Sequence, residues 1–310
     1  MPFYLPAFPY PPAGEGYWGA RTSTINWCEE DYYATMYSAE IVNTATNLIF
    51  VFLAYKGISS CIRHGHERVF LIGFLGYLSI GVGSMCFHSS LKYPMQLLDE
   101  LSMIYTTCIM VYALFSHRQS TRACIAIFLA LLGLAVFITG YYHYLQDPKF
   151  HQNMFALLTI VVTLRSMWLM EFLLRPSRRP KRGVATSVDN AEQARGDRRD
   201  EGILKTMWAM YACGLSACAI GFLIWKLDNI FCGTLRRWRR DVGLPWGILL
   251  EGHGWWHLFT GVAGYFNLTR LIWLRYCLDG EQDNFELAWP SVLTSVPVVA
   301  RVEDKKKKLT

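Results

Sequence analysis

A chain of 310 residues, 53% hydrophobic and 15% aromatic, is either one large soluble domain or a polytopic membrane protein, and the distribution of the apolar residues decides for the membrane. The formal net charge of +6 is unevenly spread, so it reads as a topology signal and not as a nucleic-acid-binding surface. Nine scattered cysteines form no C-x-x-C pair, and most lie in apolar runs where they act as small apolar residues.

The first 35 residues form an arm with Pro2, Pro6, Pro9, Pro11 and Pro12, then an acidic knot, N-W-C-E-E-D, at 26–31. No basic segment followed by an apolar core opens the chain, so the first span is expected to direct insertion. Seven apolar runs follow, at 36–55, 69–87, 95–115, 123–142, 150–174, 206–227 and 253–274. Each approaches the roughly 20 residues that a spanning helix needs. The expected fold is an all-α integral membrane protein, a seven-transmembrane helix bundle over 36–276. With the N-terminus outside, 20 Lys and Arg residues fall on the cytoplasmic side and seven on the other, which predicts a lumenal N-terminus and a cytoplasmic C-terminus. Arg236, Arg237, Arg239 and Arg240 go against that rule and read as a solvated face or a headgroup contact. Within the bundle, 175–202 contains R-P-S-R-R-P-K-R and then a mixed-charge stretch of low hydrophobicity, expected to be a disordered basic cytoplasmic linker. The tail, 277–310, is expected to be cytoplasmic and amphipathic or irregular. Its ending K-K-K-K-L-T reads equally as a dilysine retrieval signal for the endoplasmic reticulum or as a solvated polybasic end. Cys28 and Cys232 both fall on the oxidising side of this topology and are predicted to be bonded, tying the arm to the loop after the sixth span.

The chemistry gathers at the junctions of these runs. Ser84 and His88, four residues apart, share a helical face at the end of the second run, and Asp99 lies one turn into the third. His253 and His257 repeat the four-residue spacing at the start of the seventh. The predicted topology brings all of them to one non-cytoplasmic depth, where ionisable groups in apolar helices point to a site with partners. Three imidazoles suit zinc, with an open position for water. Asp99 fits either a general base for that water or a partner orienting a ligand imidazole. Ser84 alone would read as a small packing residue, and its shared face with His88 raises it to an oxyanion donor. His143 and His151 lie near the same face without a four-residue partner and read as structural. A second cluster, Asn26, Glu29, Glu30, Asp31 and Glu40, would pass as a solvated acidic loop, but Glu40 lies inside the first apolar run and favours a calcium site.

At these residues the chain resembles the alkaline ceramidase family. That family belongs to a wider superfamily of seven-span hydrolases and receptors, the adiponectin and progestin type among them, that share S-x-x-x-H, a following Asp and H-x-x-x-H. The likeness is carried by G-Y-W-G, S-T-I-N-W-C-E-E, the block from G-S-M-C-F-H to L-K-Y-P-M-Q-L-L-D-E-L-S-M-I-Y, D-N-I-F-C and W-W-H, and covers roughly residues 16–276. The resemblance implies a membrane amidase that cleaves ceramide into a sphingoid base and a fatty acid. It places zinc on His88, His253 and His257, and Asp99 and Ser84 in the catalytic site. It implies calcium ligands at the Asn26, Glu29, Asp31 and Glu40 side chains and the Trp27 carbonyl. Where the family often has Asp first and Asn later, Asn26 and Asp31 reverse the order, with the formal ligand charge unchanged. The basic insert and lysine tail resemble fungal members acting on phytoceramide or dihydroceramide. A receptor of the same superfamily and a hydrolase remodelling glycosylphosphatidylinositol lipids are the alternatives, and the acidic knot argues against the receptor.

Overall fold

A computed structural model describes residues 6–178, 187–291 and 295–302, the side chains of 187–189 excepted. Apolar runs removed from water must satisfy their backbone hydrogen bonds internally, and helices do this within one segment. In chain order these are α1 (Ile41–Thr46), α2 (Leu48–His64), α3 (Arg68–Ser90), α4 (Tyr93–Phe115), α5 (Thr121–Leu145), α6 (Pro148–Leu169), α7 (Ser187–Ile230), α8 (Cys232–Val242) and α9 (Gly252–Asp279). A hairpin of β1 (Phe285–Ala288) and β2 (Val298–Arg301) follows, with Phe285 opposite Arg301. Among the described residues, six stretches are long and apolar enough to cross a membrane: Ile41–His64, Arg68–Ser90, Tyr93–Phe115, Thr121–Leu145, Pro148–Leu174 and Asn190–Ile230. The seventh expected run is also helical, as the 28-residue α9. Its histidines, Asn267, Arg270 and Arg275 dilute its apolar character, and it is not among the six.

The helices pack as a bundle in which α3 lies against α2 and α4, α9 against α2 and α7, and α4 against α6, while α5 stays at the periphery. Phe50, Phe74, Tyr77, Ile104, Tyr265 and Leu268 lie in the buried core between them. The direction of α3 and α9 defines two ends. The C-terminus of α3 and the N-terminus of α9 meet at the histidine end, and His66, the α4–α5 turn and the hairpin lie at the other.

The arm docks because α3 leaves carbonyls without helical partners. Leu91 terminates α3 in the left-handed region (φ 51°). The His88, Ser89 and Leu91 carbonyls then accept from the backbone N–H groups of Glu40 (2.9 Å), Ala39 (2.9 Å) and Ser23 (3.1 Å). These bonds carry the acidic knot to the end of α3. The Cys28 and Cys232 sulfurs lie 2.22 Å apart, joining the arm to the start of α8.

Several expectations are revised. The first run is offset and broken: helix begins at Ile41 and is interrupted at Asn47, between α1 and α2. Residues 187–202, expected in a disordered linker, form the first turns of α7. Ala, Glu, Gln and Arg there are good helix formers, and Arg199 pairs with Asp200 and with Asp283 of the tail. Pro176–Arg178 form a short 3-10 turn, and residues 179–186 and the dilysine ending lie outside the described residues. The tail, expected to be amphipathic or irregular, is in part the hairpin, whose Val299 is buried in the bundle end. The Arg236 to Arg240 cluster is only in part a solvated face, with Arg237 and Arg240 exposed. Arg239 is fully buried and donates to Asp228 (3.1 Å), Glu251 (2.9 Å) and the Cys28 carbonyl (2.7 Å). Arg236 and Arg240 pair with Glu30 at 3.5 and 3.2 Å. A charge count by loop overlooks acidic partners on the same side, and here Glu30 of the acidic knot, Asp228 and Glu251 supply them.

Candidate metal centre

Close helix approaches bring the site together. A Cβ on Gly83 would lie 3.1 Å from the Asp99 nitrogen and the Leu98 carbonyl carbon, so α3 and α4 touch backbone to backbone beside Ser84. One on Gly254 would lie 3.2 Å from Val42 and 3.3 Å from Thr46, seating the start of α9 on α1. His88, His253 and His257 are thereby buried together, with ring centroids 5.0, 4.8 and 4.6 Å apart. Each offers a nitrogen within 4.8 Å of the others, and no other set of three His, Cys, Asp or Glu among the described residues does so.

The remaining ring contacts say which nitrogens are free. His88 Nδ1 donates to Glu40 Oε2, which leaves Nε2 buried and without a partner. Thr46 Oγ1 donates to the Val42 carbonyl (2.9 Å) and lies 3.0 Å from His257 Nδ1, so it can accept that N–H and leave His257 Nε2 as a lone pair. His253 is stacked by Trp27 (4.2 Å between centroids, 20° between planes), and its Nδ1 has no partner. Neutral imidazoles held by carboxylate and hydroxyl, with bare nitrogens in mutual reach, match the donor set that binds zinc at about 2.0–2.1 Å. The residues present fit the metal.

Asp99 stands outside the three-histidine group and is partly buried. Ser84 Oγ, one turn before His88, accepts from Asn47 Nδ2 at 2.9 Å. Asn47 spends its other N–H on the Asn43 carbonyl (2.9 Å). The break in the first span therefore places a polar residue on the path from α2 to the catalytic candidates.

The acidic knot is placed around Glu40. The Glu40 carboxylate accepts from Trp27 N (3.0 Å) and Asn43 Nδ2 (3.2 Å) besides His88. Glu29 caps α1, its two oxygens accepting from Val42 N (2.7 Å) and Asn43 N (2.9 Å). Asn26 Nδ2 donates to Asp31 Oδ2 (3.1 Å), and Trp27 N lies 3.0 Å from Asn26 Oδ1. Burial first, and then neighbouring carboxylates, push the acids of Glu29 and Asp31 above their ordinary range. Such a set favours an added cation. His143 and His151 join neither cluster: His143 Nδ1 meets Tyr93 Oη (3.2 Å), and His151 Nε2 donates to the Glu100 carbonyl (2.7 Å).

The sequence reading did not find four contributors: Thr46 and Asn47 behind His257 and Ser84, the Trp27 ring on His253, and Arg239 beneath the arm. The N-T-A-T-N pattern of 43–47 was the available signal, since amides and hydroxyls inside an apolar run need partners.

The family model described as Ceramidase matches residues 19–300. Alkaline ceramidase 3 of Mus musculus is 33% identical over 268 residues, 84% of this chain and 89% of the relative. An alkaline ceramidase of Saccharomyces cerevisiae is 32% identical over 287 residues, 88% of this chain and 83% of the relative. An alkaline ceramidase of Arabidopsis thaliana is 27% identical over 260 residues, 84% and 86%. The match begins within the arm, covers all the helices and ends within β2, and so includes every residue of the histidine cluster: the chain belongs to the ceramidase family.

Proposed function

We propose that the protein is a zinc-dependent intramembrane amidase that hydrolyses the N-acyl bond of ceramide, as phytoceramide or dihydroceramide, to a sphingoid base and a free fatty acid. The observation that carries this reading is the buried trio His88, His253 and His257 in a member of this family. These three would hold zinc, which when bound supplies Lewis-acid polarisation and a water acidic enough to attack at neutral pH. Asp99 takes the proton of the attacking water, the water oxygen joins the acyl carbon, the C–N bond breaks, and Asp99 returns the proton to the leaving amine. Ser84 Oγ accepts from Asn47 Nδ2, which leaves its own proton to donate to the oxyanion. Glu40 holds the His88 ring and its tautomer, and Thr46 does so for His257. An apolar recess of about 730 Å³ lined by α1, α2 and α9 residues, Thr46 among them, offers a seat for a lipid tail beside the site.

Around this centre we read Asn26, the Trp27 carbonyl, Glu29, Asp31 and Glu40 as a calcium site, with the Cys28–Cys232 bond holding the arm. The chain divides into a lumenal arm (1–35), a catalytic bundle (36–276) and a cytoplasmic tail (277–310). In this reading α9 is the seventh span, and the protein lies in the endoplasmic reticulum membrane. The receptor and lipid-remodelling alternatives are not favoured by the family match.

Purified protein given ceramide tests the reading. Release of sphingoid base that stops on chelation and returns with zinc is expected. Zinc-loaded protein that releases none would overturn it.

A further inference from the structure

At the end of the bundle opposite the histidines, a cavity of about 530 Å³ lies between the α4–α5 turn, the end of α6 and the end of α9. The proposed reaction makes no use of it. Its most unusual lining residue is Arg165, a cation within the membrane-length stretch Pro148–Leu174. Such a group ordinarily pairs with an acid or a carbonyl. Among the described residues Arg165 has neither an ion pair nor a hydrogen bond, and its Nε is buried without a partner. Its guanidinium instead lies over the rings of Phe115 (4.9 Å) and Trp168 (4.6 Å). Aromatic contacts of this kind cover the faces of the guanidinium and leave its in-plane N–H donors for another ligand.

The neighbouring charges do not neutralise it. Arg275 pairs with Glu67 (3.2 Å), and Asp279 lies 3.6 Å from both Arg118 and His117. Arg118 also donates to the Leu278 carbonyl (2.5 Å) from a left-handed backbone, φ 55°. Burial, and then Arg275, hold His117 below its ordinary pKa, with Arg118 and Arg165 adding to that and Asp279 opposing it. Three guanidiniums thus face two carboxylates, and the unmatched charge is Arg165. One more lining residue carries a buried atom without a partner, Gln282 Oε1. Amide oxygen and nitrogen are interchangeable in placement, so Gln282 can present a donor there as well.

We propose that this cavity binds the phosphate of an anionic phospholipid, with Arg165 as the principal donor and Arg118 and Gln282 beside it. A forked guanidinium suits phosphate oxygens. The lipid-borne source is favoured by position: Leu164, Trp168 and Leu173 are 60%, 42% and 50% exposed on the flank of the same stretch. A molecule reaching Arg165 along that flank must tolerate apolar surface on one side and cations on the other. The bound headgroup would tie the α4–α5 turn to α6 and α9.

The full chain, released from mixed phosphatidylcholine and phosphatidic acid vesicles and weighed by native mass spectrometry, tests this. Phosphatidic acid is expected on the protein at about fivefold or more over its share of the vesicle, one unmatched cation at the membrane surface being worth about that factor. Arg165→Gln should abolish the enrichment, and Arg165→Lys should retain part of it. Should Arg165→Gln fold poorly, Arg118→Gln is expected to lower the enrichment instead. Thermal stabilisation by phosphatidic acid should follow the same order, and sphingoid-base release in phosphatidylcholine alone should stay within about twofold of wild type. Equal retention of both lipids by wild type, or enrichment unchanged in every variant, would overturn the proposal. So would equal stabilisation by inorganic phosphate without lipid, which would assign the cavity to a soluble ion.

Discussion

Both ends of the bundle hold histidines, and they are held differently. At one end His88 and His257 each have one nitrogen engaged by a side chain that can fix the tautomer, and the three rings converge. At the other, His66 has both nitrogens occupied, Nδ1 by Tyr276 Oη (2.9 Å) and Nε2 by the Val299 carbonyl (3.1 Å). A ring used as a strut spends both nitrogens, and a ring used as a ligand keeps one. His151 shows that the count alone is insufficient, because its Nδ1 also makes no hydrogen bond, lying 3.6 Å from Glu100 Oε1, while no other histidine shares its surroundings. The bare nitrogen marks a site only where several meet.

The comparison is broken most severely at the convergent end. His88→Ala or His257→Ala should reduce bound zinc from one ion to none and sphingoid-base release to background while leaving the helical circular dichroism intact. Loss of helix with metal retained would sink the ligand assignment. Asp99→Asn should keep the metal and lose about 10²–10⁴-fold in turnover, the usual worth of a positioned general base. Metal analysis and kinetics on the same preparation separate the two. Arg239→Met comes next. It leaves Asp228 and Glu251 buried without their cation, which costs roughly 3–5 kcal/mol. Chemical unfolding in a lipid nanodisc should register it, whereas Arg236→Ala, on a more exposed pair, should change stability by less than about 1 kcal/mol.

The convergent end was legible in the sequence because its signals are local. Four-residue spacing on two helices and the alternation of span directions were enough to bring His88 to His253 and His257, with Asp99 and Ser84 alongside. What holds those rings was not legible. Glu40 was read as a cation ligand, and its bond to His88 spans 48 positions and depends on how the arm caps α3. Glu29 has the composition of a calcium ligand and the position of a helix cap, and only the placement of Val42 and Asn43 reveals the second role. Over 187–202 the linker expectation failed for a related reason. Its low hydrophobicity was correctly read, but helix propensity and the Arg199 to Asp283 contact give 187–202 a support that composition does not record. Arg239 was counted as a charge on a loop because its partners, Asp228 and Glu251, lie on other elements.

A smaller effect sharpens the same comparison. Glu40→Gln keeps a hydrogen-bond acceptor at His88 but removes the charge that favours its Nδ1–H, and zinc affinity should fall about 10–100-fold. Competition with a zinc chelator measures it, and an unchanged affinity would place Glu40 with the acidic knot alone.

The effect at the other end belongs to the strut. Burial, and then His64, hold His66 at about 4, below its ordinary 6.5. Its folded form therefore prefers the neutral ring. The stability this contributes is complete above pH 6.5 and declines as the pH falls from 6.5 towards 4. At pH 5.5 the loss amounts to about 1.4 kcal/mol for a group with those two values. Wild-type protein should melt at a lower temperature at pH 5.5 than at 7.5, and His66→Gln, which keeps a donor for the Val299 carbonyl, should flatten that difference. Because the hairpin is what His66 supports, acid should also expose the C-terminal segment to protease before the histidine end loses its metal. Simultaneous loss would mean that the two ends do not titrate independently and that the strut is part of the site.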